Sequence, residues 1–155
     1  MRAHLLTPSP AHPSPPHLVT PSPPDYTSGA MKPRNILHVE SGRVLIPAAK
    51  WCDSFLSNLR GFTFRRHLGQ TDGLVLVYKT DSKVNTAIHM FFVFFDLGVI
   101  WVNDAGVVVG TVQAKPWRPS YVPPAPARYV IEGHPTILSQ VKVGDHIQFQ
   151  PCDES

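Results

Sequence analysis

Between residues 88 and 118 the chain reads IHMFFVFFDLGVIWVNDAGVVVGTVQAKPWR, and this stretch restricts the fold more than any other part of the sequence. Two runs rich in β-branched residues, 98–103 and 107–114, flank Asp104, Ala105 and Gly106, a three-residue loop whose final glycine can turn one strand back on the next. Ahead of them, residues 87–95 are too aromatic and too continuously apolar to keep one face wet, which predicts a central strand covered on both sides. Strands of that kind need further layers built around them.

The rest of the chain offers such layers. Residues 36–40 and 43–46 are short apolar-rich runs around Ser41 and Gly42, which predicts a hairpin with a two-residue turn. Trp51, Cys52, Phe55, Leu56 and Leu59 recur at helical spacing, predicting one short helix closed by Gly61. Strand-length runs follow at 74–78, 128–132 and 146–150, the last entered through a turn at Val143, Gly144 and Asp145. Between them, residues 116–126 hold five prolines around Trp117, Arg118 and Tyr121 and predict a stiff surface loop, since each proline removes a ladder donor. Many short strands, one helix and no alternation of strand with helix predict a mainly β fold, a single small sandwich or partly closed barrel with one short helix.

At 155 residues the chain suffices for one domain, expected over 31–150 with a short tail at 151–155. Eight of its 17 prolines fall in residues 1–30, a Pro, Ser, Thr and His run that buries too little apolar surface to offset the entropy of ordering it. A disordered leader is expected there. Met31 opens a more ordinary start, so translation from Met31, with the leader never made, is a further expectation. The apolar run after Arg2 is too short for a secretory signal, and no uncharged run is long enough to span a bilayer. These features predict a soluble, cytoplasmic protein with no membrane partner. Cys52 and Cys152 form no C-x-x-C pair and suit reduced thiols. The net charge of +3 is scattered apart from the Arg65-Arg66 doublet and argues against nucleic acid as a partner.

In order, the motifs RGFTFRRHL (60–68), DGLVLV (72–77), IHMFFV (88–93), VIWV (99–102), KPWR (115–118), ARYVIE (127–132) and VGD (143–145) resemble the domain of unknown function 192 family, over roughly residues 36–150. The resemblance implies a small, mainly β, jelly-roll-like domain with a short helix, and it brings no activity. This chain departs from the pattern in having Thr63 for a methionine, Phe94 for an arginine or other polar residue, and Gly98 and Asn103 for aspartates. Glu132 keeps the glutamate of a late L-E-L-P-A-G segment, whose remainder is replaced.

Five residues stand out as candidate ligand-binding groups: Arg65, His89, Trp117, Arg118 and Glu132. An imidazole in an apolar strand, as His89 would be, must find a hydrogen-bond partner or a ligand. Trp117 could stack on a ligand while Arg118 grips a carboxylate or phosphate, or the pair could pack over a sheet end with Arg118 bonded to Glu132 or Asp145. Arg65 could line the same pocket or satisfy helix-end carbonyls, and Glu132 could face solvent or pair with a basic group. No spacing brings two histidines together, so neither a metal site nor a cofactor is expected, and Asp145 reads as a turn residue. There is no G-x-S-x-G, no Cys beside a His and no glycine-rich phosphate loop. The leading expectation is a module binding a small polar or anionic ligand or a peptide. Two alternatives stand beside it: acid–base, perhaps hydrolytic, chemistry by His89 with Glu132, and an accessory protein that docks through its aromatic loop.

Overall fold

The computed structural model describes residues 32–53, 62–63 and 65–152. The leader, the proposed start at Met31 and residues 153–155 lie outside the described residues. Seven strands, β1 (Arg34–His38), β2 (Arg43–Cys52), β3 (Gly73–Ser82), β4 (Leu97–Val102), β5 (Val108–Ala114), β6 (Ala127–Gly133) and β7 (Ile147–Pro151), make one sheet in the order β5-β4-β6-β3-β2-β1-β7. A 3₁₀ helix, Pro135–Gln140, joins β6 to the turn before β7. The fold is mainly β, as the strand pattern predicts. No helix among the described residues is long and apolar enough to cross a membrane.

The sheet curls into a partly closed barrel because its two edges meet at one end. The turn before β7 bonds to the start of β5 through Val108 N–H to Asp145 O (2.8 Å), Gly144 N–H to Val108 O (2.9 Å) and Ile147 N–H to Gly106 O (2.8 Å). Curling also needs a bend in β2, which pairs with β1 up to Ala49 and then runs parallel to β3 from Lys50 to Cys52. Ala48 takes up that bend at φ 48°, and its N–H donates to the Asn35 side-chain oxygen at 2.9 Å. Side chains alternate across the strands. Ile36, Ile46, Trp51, Val75, Val77, Ile100, Val102, Tyr129 and Ile131 fill the barrel interior. Leu74, Leu76, Val99, Trp101 and Val130 make the opposite face, which Phe62, Ile88, Met90 and Val93 cover.

Three sequence expectations change. Residues 87–95 form no strand; apart from an isolated bridge between Ile88 and Tyr121 they are loop, and the doubly covered strands are β3, β4 and β6. An apolar run tells only that something must be buried, and here Ile88, Met90 and Val93 bury themselves by lying over a sheet rather than in it. Trp51 and Cys52 belong to β2, one pointing to each face, so their adjacency reflects strand alternation and not a helical stripe. The remainder of the predicted helix, Phe55 to Gly61, lies outside the described residues. The turn between β1 and β2 has four residues, 39–42, rather than two, although Gly42 takes the expected positive φ of 66°.

Three glycines lie side by side across the centre of the sheet, Gly73 paired with Gly133 and Gly133 with Gly98. Their bare backbone lets Ile46 and the 3₁₀ helix plug the barrel end. A Cβ on Gly98 would stand 2.9 Å from the His134 carbonyl oxygen and 3.0 Å from Ile137 Cγ1. This accounts physically for a departure noted in the sequence, since an aspartate at 98 has no room beneath this helix. Gly98→Ala is expected to destabilise the fold by about 1–3 kcal/mol through overpacking, and Gly98→Asp by more, because it also buries a carboxylate. Urea unfolding midpoints measure both, and a Gly98→Asp protein as stable as the parent would contradict the packing described.

Candidate functional site

Of the five candidate residues, the fold gathers three. The loop at 88–95 and the proline-rich loop are stitched together by backbone bonds: Ile88 and Tyr121 exchange N–H to O bonds (3.0 and 2.8 Å), Met90 N–H donates to Arg118 O and Trp117 N–H to Met90 O, each at 2.9 Å. Asp96 secures the base of the pair, accepting from Lys115 Nζ at 2.5 Å and from Gln113 Nε2 at 2.6 Å. The Lys115 bond, helped by Gln113, holds the Asp96 carboxyl below its ordinary value against the effect of burial. The Tyr121 hydroxyl accepts from Lys115 N–H at 2.8 Å.

On this scaffold the covering residues turn in and their neighbours turn out. Phe92, Phe94 and Trp117 are 47%, 51% and 50% exposed. Trp117 meets Phe92 at a ring separation of 5.4 Å and Phe94 at 5.5 Å, both edge to face. Phe92 and Trp117 both sit at positive φ, 59° and 62°, a left-handed conformation that costs a bulky residue roughly 1–2 kcal/mol. His89 is exposed, its ring 5.5 Å from that of Phe91, and so is not the buried strand histidine that the sequence predicts. Arg118 is exposed and has no ion-pair partner among the described residues, so it is bonded neither to Glu132 nor to Asp145.

Arg65 and Glu132 lie elsewhere. The Arg65 guanidinium is over the Phe62 ring (5.5 Å to its centroid) and 3.7 Å from Asp72, a surface pair of small energetic weight. Glu132 is only 6% exposed, set in β6 between Leu74 of β3 and Val99 of β4 on the face that the loops cover. Its carboxyl makes no hydrogen bond or ion pair among the described residues, and burial pushes it up to about 7. Burial also raises the phenol of Tyr78, with the charge of Glu132 adding to the effect. No bond joins His89 to Glu132 among the described residues.

A second polar cluster went unnoticed in the sequence because its members are far apart in the chain. His38, Glu40, Asp145 and His146 meet at the barrel seam, where His38 Nε2 lies 2.9 Å from Asp145 Oδ2 and 3.3 Å from Glu40 Oε2. Asp145 does serve its turn, accepting from Lys142 N–H at 2.9 Å, and that bond together with His38 holds its carboxyl below the ordinary value. The only sequence signal was the presence of a histidine and an acid at each of two turns.

The curled seven-stranded sheet thus carries an exposed aromatic surface on its loop cover and a buried acid beneath it. The chain belongs to the domain of unknown function 192 (DUF192) family, described as Uncharacterized ACR, which matches residues 37–149. It is 33% identical over 121 residues to a UPF0127 protein of Thermococcus kodakarensis, covering 77% of this chain and 75% of that one. It is 30% identical over 116 residues to a UPF0127 protein of Pyrococcus furiosus, covering 74% and 97%. Among solved structures it is similar to a protein of unknown function from Novosphingobium aromaticivorans (TM-score 0.64, 20% identity, 75% and 83% coverage) and to a putative transcription regulator from Sinorhizobium meliloti (TM-score 0.66, 16% identity, 81% and 98% coverage). At those identities the structural likeness concerns the fold alone.

Because the folded-state value for Glu132 lies above the ordinary 4.5, the native protein holds a proton that the unfolded chain releases between pH 4.5 and about 7. Stability from this group is therefore lost as pH rises through that window, by about 3 kcal/mol in all. Glu132→Gln is expected to match the parent near pH 4 and to exceed it by about 2–3 kcal/mol at pH 8. Urea unfolding of both proteins across that range measures the difference, and a gap that does not change with pH would contradict it.

Proposed function

We propose that this protein is a binding module whose contact surface is the Phe92, Phe94 and Trp117 cluster, and that its ligand is a peptide segment of a partner protein bearing apolar anchors beside an acidic residue. The observation carrying this reading is that two of the three half-exposed rings, Phe92 and Trp117, sit at positive φ on two loops that backbone bonds at Met90, Trp117 and Arg118 join. Strain kept at an exposed site contributes nothing to the core, and it marks a surface whose shape matters. Contiguous apolar patches on a domain this small mark interaction sites, and aromatic rings with an arginine dominate binding energy at such surfaces. Arg118, exposed and next to Trp117 in the chain, suits an acidic flank on the ligand. Half-exposed rings suit a peptide laid across them, since small ligands need most of their own surface enclosed. Rigid rings also lose little entropy on binding.

Cys52 and Cys152 form no disulfide among the described residues, in keeping with a reducing, cytoplasmic setting for this binding. The acid–base alternative has less support, because its two groups are apart, one on the surface and one buried beneath the cover.

Selection of displayed random peptides on the full chain tests the proposal. Enrichment of peptides with an aromatic or large aliphatic residue near Asp or Glu is expected, with affinity falling about tenfold or more in Trp117→Ala and a weaker salt dependence in Arg118→Ala. Trp117 is half exposed, so the variant should keep its fold, which circular dichroism checks. Peptides that bind Trp117→Ala as tightly as the parent, or a selection that enriches nothing, would remove the basis of the reading.

A further inference from the structure

The polar cluster at the barrel seam has a charge arrangement that its own protons do not satisfy. Glu40 and Asp145 both direct a carboxylate oxygen at the same nitrogen, His38 Nε2, at 3.3 and 2.9 Å. A neutral imidazole has at most one proton at that nitrogen, which can serve one of the two oxygens. The three atoms lie within 4.8 Å of one another, and His38 and Asp145 are each only 7% exposed while Glu40 opens to solvent. One imidazole nitrogen and two carboxylate oxygens converging at the edge of a core, with one side open, make a donor set for a cation.

The surrounding bonds support the same reading. The other nitrogen of His38, Nδ1, is 2.7 Å from the Ser41 hydroxyl, which can accept its proton and so leave the Nε2 lone pair facing the carboxylates. A histidine ligand anchored through its far nitrogen is the usual arrangement at metal sites. Asp145 Oδ2 is fixed from behind by Lys142 N–H at 2.9 Å. Glu40 is held by His146, whose Nδ1 lies 2.8 Å from Oε1 and whose backbone N–H is shared between Oε1 at 2.9 Å and Oε2 at 3.1 Å. Each candidate ligand therefore has a second bond that sets its direction, and each bond comes from a turn fixed by the seam.

We propose that His38, Glu40 and Asp145 form a binding site for a divalent first-row transition-metal ion, with His146 as the positioning residue for Glu40. Mixed nitrogen and oxygen donors select such ions over calcium or magnesium, which prefer oxygen alone. Ligands about 2.0–2.1 Å from a tetrahedral ion lie roughly 3.3 Å apart, close to the two separations around His38 Nε2. A fourth position on the open side is left for water or an exogenous ligand. The ligands come from the end of β1, from the turn that follows it and from the turn before β7, so a bound ion ties together the segments that close the barrel. This site shares no residue with the aromatic surface, and its test does not depend on that reading.

The experiment uses the untagged full chain, stripped with chelator and titrated with Co²⁺ followed by visible absorption, then with Zn²⁺ by calorimetry. One ion per chain is expected, with a Zn²⁺-dependent rise in melting temperature. Glu40→Gln and Asp145→Asn should each weaken Zn²⁺ binding at least tenfold, and His146→Gln should weaken it less than either. His67→Ala and His89→Ala should leave it unchanged. Glu40 is exposed, so its variant keeps the test decisive even where Asp145→Asn unfolds. Absence of stoichiometric binding of either ion, or a stoichiometric site that persists at full affinity in Glu40→Gln, would overturn the proposal.

Discussion

Everything in this molecule follows from the need to bury β3, β6 and β4 on both faces. β4 is buried at all six positions, β6 at six of seven, and β3 from Leu74 to Val77. One face is covered by the curl of the sheet itself, which requires the bend at Ala48 and the seam between β5 and β7. Opposite the other face, no second sheet lies among the described residues. There the cover is loop, anchored by the Trp101 indole donating to the Thr86 carbonyl at 2.8 Å and filled by Ile88, Met90, Val93 and Phe62. Backbone in such a cover cannot bond to the sheet below, so it bonds to the neighbouring loop, and that pairing creates the aromatic surface.

The cover thus does two things with one run of apolar residues. Residues facing down complete a core, and residues facing up, Phe92 and Phe94 with Trp117, stand in water at a cost in both hydration and backbone strain. A cover needs only the first set. The second set is where a functional reading has something to explain.

Two acids show how burial alone does not decide charge. Glu132 and Asp145 are 6% and 7% exposed. Glu132 lies between aliphatic neighbours near the end of β6, where alternation points it at the covered face and offers no donor, and its proton is retained to higher pH. Asp145 sits in a turn, where a backbone amide and an imidazole point at it, and its proton is lost more readily. The same residue class takes opposite electrostatic roles because strands exhaust their amides on each other and turns do not.

The sequence by itself determined the mainly β class, the hairpin through Gly106, the positive φ at Gly42 and the proline-rich loop, since these depend on local backbone chemistry and on alternation within a few residues. It also determined the family, because ordered motifs survive divergence. Only the tertiary structure decided that residues 87–95 cover the sheet rather than join it, because an apolar run does not state which surface will bury it. It decided that Trp51 and Cys52 part to opposite faces, that His89 is exposed and Glu132 is not, and that Gly98 lies beneath the 3₁₀ helix. It alone brought His38 and Asp145, 107 positions apart, within a hydrogen bond. Such contacts depend on how the sheet closes, a property of the whole chain that no local spacing records.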